Sequence, residues 1–256
     1  TSRCDQMRRL YDLVAAQRNG PTFLLNVPAT WRTPGGGCLP TAERLYAHEL
    51  QRLSRFLQQA GGSAPDRERL AAEIVRTRSN PGTPNISVRE RTKQPDGEDA
   101  YVRLGLSGGP LPPESSFFEQ VAAAGARVVL DATDSGERLI PWQDYVAQPQ
   151  AVLQDPAGEL ARAYLTMPSI HQRPNTRVFA WLHQRIMARQ VQGLVLHRYT
   201  WCDLWHAEVP RITELVGVPV LDLAVDAEED ALTAGDPVAT QNRPAPRGQA
   251  STRNAT

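Results

Sequence analysis

Two cysteines in this sequence stand in the same local context. Each is followed by an aspartate and then by helical apolar spacing, as "RCDQMRRL" around Cys4 and "WCDLWHAEV" around Cys202. A thiol at the start of a helix faces unpaired backbone N–H groups and the positive end of the helix dipole, which favour the thiolate. The thiolate attacks electrophiles and binds metals. The repeated pattern therefore indicates metal-binding or redox use of Cys4 and Cys202.

Three chemistries could use these thiols. A zinc site could draw on His197, Cys202 and His206, although this spacing matches no recognised zinc pattern and His206 is more simply an exposed helical histidine. A catalytic thiol needs a base and an orienting group, and the sequence carries no local signature for either. An iron–sulfur cluster needs three or four thiolates. The chain offers Cys4, Cys202 and Cys38, the last in a Gly-rich loop.

Composition limits the class of protein. The 256 residues are enough for one large or two modest domains, and 28 Lys and Arg residues balance 28 Asp and Glu residues. This balance gives no reason to expect a nucleic-acid or anionic-membrane partner. Three cysteines are too few for a disulfide framework, and no apolar run approaches the length of a membrane span. We therefore expect a cytoplasmic protein.

The first hundred residues are predicted to be mainly helical. Apolar spacing predicts a helix over 4–17, and the run 22–27 is expected to be a buried strand. A long helix is predicted from Thr41, followed by a second one with Ser63 as its N-cap. Residues 79–99 are polar and rich in Pro and Gly, which is typical of a linker.

After Tyr101, short apolar runs alternate with helical patterns. The predicted strands are 102–106, 126–131, 193–197 and 218–223, and the predicted helices are 116–125, 177–191 and 204–217. In the second of these helices the inward-facing residues are predicted to be Val178, Trp181, Leu182, Ile186 and Met187. This alternation predicts right-handed crossovers and a parallel sheet covered on both faces. Ligands bind at the carboxyl ends of such strands, where Cys202 follows a predicted strand.

Four segments, in order along the chain to about residue 226, resemble one known family. They are "CDQMRR" with "LLNVP", "LYAHELQRLSRFLQQAGG", "LGLSGGPLPPESSFFEQVAAAGARVVLDATDSGERLIP" and "VQGLVLHRYTWCDLWHAEVPRITELVGVPVLDL". Their order resembles the D-component or β-subunit family of 2-hydroxyacyl-CoA dehydratases, which includes subunits of ATP-dependent benzoyl-CoA reductases. The residues that stand where this family has them are Gly105, Gly125, Val129, Asp131, Gly136 and Arg138.

The resemblance implies a cofactor and its ligands. Each subunit of that family holds an oxygen-sensitive iron–sulfur cluster, which we expect to be 4Fe-4S, through three cysteines. Carried over residue by residue, this gives Cys4 and Cys202 as iron ligands. The first family cysteine has no counterpart, because its segment would lie upstream of Thr1. Cys38 matches no ligand position and is interpreted as structural or incidental.

The resemblance also implies a mechanism and partners. An ATP-dependent activator passes one electron to a heterodimer of related subunits. The electron enters the thioester carbonyl of a 2-hydroxyacyl-CoA substrate, and the resulting ketyl radical anion expels the neighbouring hydroxyl. The resemblance therefore implies a lyase (hydro-lyase) subunit. The alternatives are a benzoyl-CoA-reductase-type cluster reductase subunit and a cluster-less structural partner or degenerate copy.

The predicted fold class is α/β, with a flavodoxin- or Rossmann-like parallel sheet. Residues 1–30 are assigned to the end of an N-terminal α/β domain and 31–99 to a helical connector. Residues 100–225 are assigned to the C-terminal sheet domain, and 226–256 to a disordered tail. Some polar residues near the strand ends could line a cleft or only bond their own loops. They are Asp131, Thr133, Asp134 and Arg138.

Overall fold

The structure, a computed structural model, describes residues 4–17, 20–29, 39–64, 66–79, 101–111, 115–139, 145 and 149–226. Cys38, nearly all of the predicted linker and the tail beyond Asp226 lie outside the described residues. Within the described ranges, no helix combines the length and the apolar character that a membrane span requires.

The described elements follow one another in an α/β order. The helices are α1 (Asp5–Gln17), α2 (Pro40–Gln59), α3 (Arg67–Ser79), α4 (Phe117–Ala123), α5 (Pro149–Gln154), α6 (Pro156–Thr166), α7 (Thr176–Ala188) and α8 (Asp203–Leu215). The strands are β1 (Val102–Gly108), β2 (Ala126–Thr133), β3 (Gly193–Tyr199) and β4 (Val220–Val225), and a 3-10 turn covers Glu137–Leu139. All four predicted strands of the sheet domain are confirmed.

The four strands form one sheet in the order β2-β1-β3-β4, and every neighbouring pair is parallel. The chain moves outward from β1 to β2, then crosses back to place β3 on the other side of β1. The winding direction therefore reverses between β1 and β3, which makes their carboxyl ends a topological switch point. The predicted α/β fold with a flavodoxin- or Rossmann-like parallel sheet is confirmed.

Two apolar clusters cover the two faces of this sheet. On one face, α4 packs through Phe118 and Val121 against β1 and β2. On the other face, α7 and α8 pack against Leu130, Leu194 and Leu196 of the strands. Burial on both sides explains why the strand sequences are nearly continuous apolar runs. The cysteine after β3 therefore begins a helix that is fixed to the second face.

A second layer of helices packs beside the sheet domain. Buried residues of α2 meet α6 through Tyr46 and Leu165, and α3 meets α5 and α6 through Ile74 and Val152. Neither α5 nor α6 was predicted from the sequence. A signal for α6 was present, because Asp155 is its N-cap and accepts a hydrogen bond from the Gly158 N–H, with a proline directly after it.

The predicted strand over 22–27 is wrong, since residues 21–28 have no regular secondary structure. The apolar run packs on a helix instead, with the Phe23 ring 5.1 Å from the Phe56 ring of α2. The Asn26 N–H donates to the Glu49 carboxylate, also on α2, so a side chain takes the place of a neighbouring strand. An apolar run of strand length does not by itself supply a pairing partner.

Two smaller predictions are also wrong. Met187 is 64% exposed, because it lies on the outer side of α7, while the other four residues predicted to face inward are buried. The helix α3 starts at Arg67, and its N-terminal N–H groups are capped by Asp66, which accepts from the Arg69 N–H, instead of by Ser63. Asp66 is three residues nearer to the first helical turn.

Gly108, at the end of β1, is the position where a side chain would disturb the fold most. Its φ is +120°, and a Cβ there would lie 1.9 Å from the His197 oxygen of β3. Gly125 provides a matched control, since its φ is +74° but a Cβ would meet open space.

We expect Gly125→Ala to lower the free energy of unfolding by about 1 kcal/mol, the usual cost of a left-handed residue with a side chain. We expect Gly108→Ala to cost about 3 kcal/mol or more, because backbone strain and a clash with the neighbouring strand combine. Urea denaturation of both variants measures the difference. Equal losses would contradict the close approach of β1 and β3.

Candidate functional site

The candidate site lies at the switch point, where β1, β2 and β3 end. Here the two central strands come close, and the Gly109 N–H donates to the His197 oxygen at 2.9 Å. The chain after β3 then turns back on itself, with the Cys202 N–H donating to the Tyr199 oxygen at 2.9 Å. Cys202 thereby becomes the N-cap residue of α8, as predicted from its spacing.

Burial dominates the chemistry of the Cys202 thiol. The side chain is half-buried and packs against the cluster beneath α8. Burial raises the pKa of the thiol, and the backbone N–H groups of Trp205 and Leu204 oppose this rise without forming a cap hydrogen bond. The expectation that the helix start favours the thiolate is therefore wrong for the unligated chain, because desolvation of the charged form outweighs the N–H groups.

Cys4 acts on the same site. It precedes α1, its oxygen accepts the first helical hydrogen bond from the Arg8 N–H, and its side chain is half-buried. A negative charge on Cys4, like the charge of Asp134, would raise the pKa of Cys202 further. The structure thus brings the two cysteines with matching sequence contexts within electrostatic range, and neither forms a disulfide.

Arg138 ties the strand ends to the start of α8. Only 3% exposed, it donates from Nε to the Ala132 oxygen at 2.7 Å and from Nη2 to the Gly108 oxygen at 2.9 Å. Nη2 also binds Asp134 Oδ1 at 2.6 Å. The guanidinium lies over the Trp205 ring, 5.0 Å from its centroid. Arg138 thus bonds its own strand end and also forms part of the wall beside Cys202.

The other polar residues left open by the sequence bond within their own loop. Asp131 is buried and accepts from the Thr133 N–H at 3.1 Å and from the Thr133 hydroxyl at 2.6 Å. The Ser135 hydroxyl in the same loop donates to the Leu111 oxygen at 2.7 Å. These bonds fix the shape of the loop after β2 and leave Asp134 as the carboxylate directed at the site.

Arg198 is a site residue that the sequence analysis missed. It lies on β3, is buried, and binds both carboxylate oxygens of Asp222 on β4 at 2.7 and 2.8 Å. The alternation of "LVLHRY" carries a signal for it, because period two places Arg198 on the same face as Leu194 and Leu196.

The zinc hypothesis is wrong. The His197 ring packs edge-on against Phe117 on the opposite face of the sheet, and the His206 side chain is exposed on α8. The two imidazoles therefore do not converge with Cys202. Across the ranges that the structure describes, no group of three or more His, Cys, Asp and Glu side chains could hold a metal ion.

Comparison with known proteins supports the resemblance seen in the sequence. The model of the family described as 2-hydroxyglutaryl-CoA dehydratase, D-component, matches residues 85–249, which include all four strands and Cys202. Cys4 lies before the matched region. No curated protein matches the chain. Because the family model covers well over half of the sequence, the chain belongs to the 2-hydroxyglutaryl-CoA dehydratase D-component family.

Proposed function

We propose that this chain is a subunit of an iron–sulfur 2-hydroxyacyl-CoA dehydratase, and that Cys4 and Cys202 are iron ligands. The observation that carries this proposal is the free, half-buried thiol of Cys202 at the carboxyl edge of a parallel sheet in a member of this family, with the half-buried Cys4 near enough for a charge on it to raise the pKa of Cys202. Open α/β sheets bind their ligands at this edge. Thiolates are the usual protein ligands of iron–sulfur clusters.

The donor set fits part of a cluster site. Cys4 and Cys202 supply two sulfur ligands, and the described residues place no third ligand beside them. Because Cys38 matches no ligand position of the family, we propose that a further ligand comes from outside this chain. Iron would displace the thiol protons, so the raised pKa of Cys202 makes cluster assembly release a proton and depend on pH.

An apolar and aromatic wall lies on one side of the site. Trp205 is fully buried against the second face of the sheet, and the Arg138 guanidinium covers its ring. When bound, the cluster would supply the single low-potential electron that enters the thioester carbonyl and lets the neighbouring hydroxyl leave. A dry, shaped wall is the part of such a reaction that the protein contributes.

The proposal includes partners. The family is a component of a dehydratase of several subunits, so we propose a related subunit that completes a heterodimer, and an ATP-dependent activator that delivers the electron. The substrate we propose is a 2-hydroxyacyl-CoA thioester. Over a full cycle the products are a 2-enoyl-CoA and water, with the electron returned, so that no net oxidant or reductant is consumed.

The cysteine ligands are tested by iron binding. We expect the chain, purified without oxygen and supplied with iron and sulfide, to be brown and to contain iron. Cys4→Ala and Cys202→Ala should each lose most of that iron, because the cluster loses a ligand in each case. Cys38→Ala is the matched control and should keep its iron. Visible absorption and iron analysis measure all four proteins.

Iron binding that survives in both ligand variants would contradict the assignment of these residues. A colourless wild-type chain that stays colourless when the related subunit is present would favour the cluster-less structural partner over an enzyme.

The reaction is tested by the choice of thioester. With the related subunit, the activator, ATP and a low-potential reductant, we expect conversion of a 2-hydroxyacyl-CoA to its 2-enoyl-CoA. Chromatography measures this conversion. Cys202→Ala should reduce the rate at least about a hundredfold, since a cofactor ligand is removed. Reduction of benzoyl-CoA in place of dehydration would instead support the reductase alternative, because ring reduction consumes two electrons per turnover.

A further inference from the structure

A buried cation is held beside the candidate cluster site. Arg198 is only 6% exposed, and its two-point contact with Asp222 fixes the plane of the guanidinium. Asp222 itself is partly open to solvent, with 31% of its side chain exposed. The arginine is thus the inner member of the pair and the carboxylate is the outer one.

Arg198 lies on the face of the sheet that carries α8. Leu194 and Leu196 of β3 pack with Trp205 of α8 in one cluster, and side chains alternate along a strand, so Arg198 continues the same row. Cys202 packs against this cluster as well, and the turn from Tyr199 brings it back over the end of β3. A cation and a thiol therefore share one corner of the sheet.

The electrostatics agree with this placement. Asp222 raises the pKa of Arg198 through its hydrogen bonds, and a negative charge on Cys202 raises it further. Reciprocally, the fixed cation stabilises negative charge at the sulfur. Asp134 has the opposite effect, because its carboxylate, which accepts a hydrogen bond from Arg138, repels negative charge at Cys202.

We infer that Arg198, oriented by Asp222, balances the negative charge of a cluster bound at Cys202 and thereby raises its reduction potential. This inference rests on the proposed function. A cluster with thiolate ligands carries excess negative charge, and each added electron increases it. A nearby cation therefore favours the reduced form, and a nearby anion such as Asp134 favours the oxidised form.

The test is a redox titration of the whole chain after anaerobic loading with iron and sulfide. Visible absorption and electron paramagnetic resonance measure the fraction of reduced cluster at each potential. We expect Arg198→Gln to shift the potential to more negative values and Asp134→Asn to shift it in the opposite direction. Arg198→Lys keeps the charge and should stay near the wild-type potential. Arg76→Gln is the matched control, because Arg76 forms an exposed ion pair with Glu73 on α3. This substitution should not change the potential.

The outcomes separate the two proposals. If the loaded wild-type chain and the loaded Arg198→Gln and Asp134→Asn variants all have the same reduction potential, this inference is overturned and the proposed function still stands. A wild-type chain that binds no cluster would remove both. Arg198→Met provides a second neutral variant, and circular dichroism checks its folding. A more negative potential in both folded neutral variants, with a potential near the wild-type value in Arg198→Lys, would support the inference because the charge of residue 198 separates these variants.

Discussion

The buried guanidinium of Arg138 is the constraint on which the candidate site depends. It donates to the Ala132 carbonyl near the end of β2 and to the Gly108 carbonyl at the end of β1, and it binds Asp134. It also lies against Trp205, so the strand ends and the start of α8 share one contact. Removing one partner of such a buried charged network generally costs several kcal/mol, because the remaining groups stay buried without bonds. The position of Cys202 follows from this network through the first turn of α8.

This network also explains why the helix start does not make Cys202 acidic. The apolar wall that Trp205 forms beneath α8 partly desolvates the thiol, and the Asp134 carboxylate, which also raises the pKa of Cys202, is bound by Arg138. Both effects penalise the thiolate, and the backbone N–H groups of α8 compensate only in part. A protonated, half-buried thiol in apolar surroundings is a poor nucleophile. It is still a suitable metal ligand, because binding of a metal cation displaces the thiol proton. The environment of Cys202 therefore favours a ligand over a catalytic thiol.

Most of the sheet domain could be predicted from the sequence, because each strand is a short apolar run and each covering helix shows a period of 3.6 residues. The run 22–27 failed under the same rule, since its apolar residues are covered by α2 and the pattern does not reveal the covering partner. For the site, matching contexts predicted Cys4 and Cys202, and the structure brings them near enough for a charge on Cys4 to raise the pKa of Cys202. The direction of the thiol pKa could not be predicted, because burial at a helix start depends on long-range packing. Arg198 was missed because the role of an arginine inside an apolar strand cannot be predicted until its ion-pair partner on β4 is known.

The pairing of Arg198 with Asp222 shows how sheet register can determine the charge at a site. In the parallel register between β3 and β4, Leu196 is opposite Asp222 and Arg198 is opposite Ala224. The arginine therefore reaches diagonally to a carboxylate two residues back along the row, on the same face of the sheet. A slip of one residue would turn the Asp222 side chain to the other face and leave the buried guanidinium without its partner. Because an unpaired buried cation is costly, the ion pair favours the observed register, and the register in turn holds the cation beside Cys202. The strand β4, which lies beyond α8 along the chain from Cys202, thus takes part in setting the electrostatics of the cysteine site.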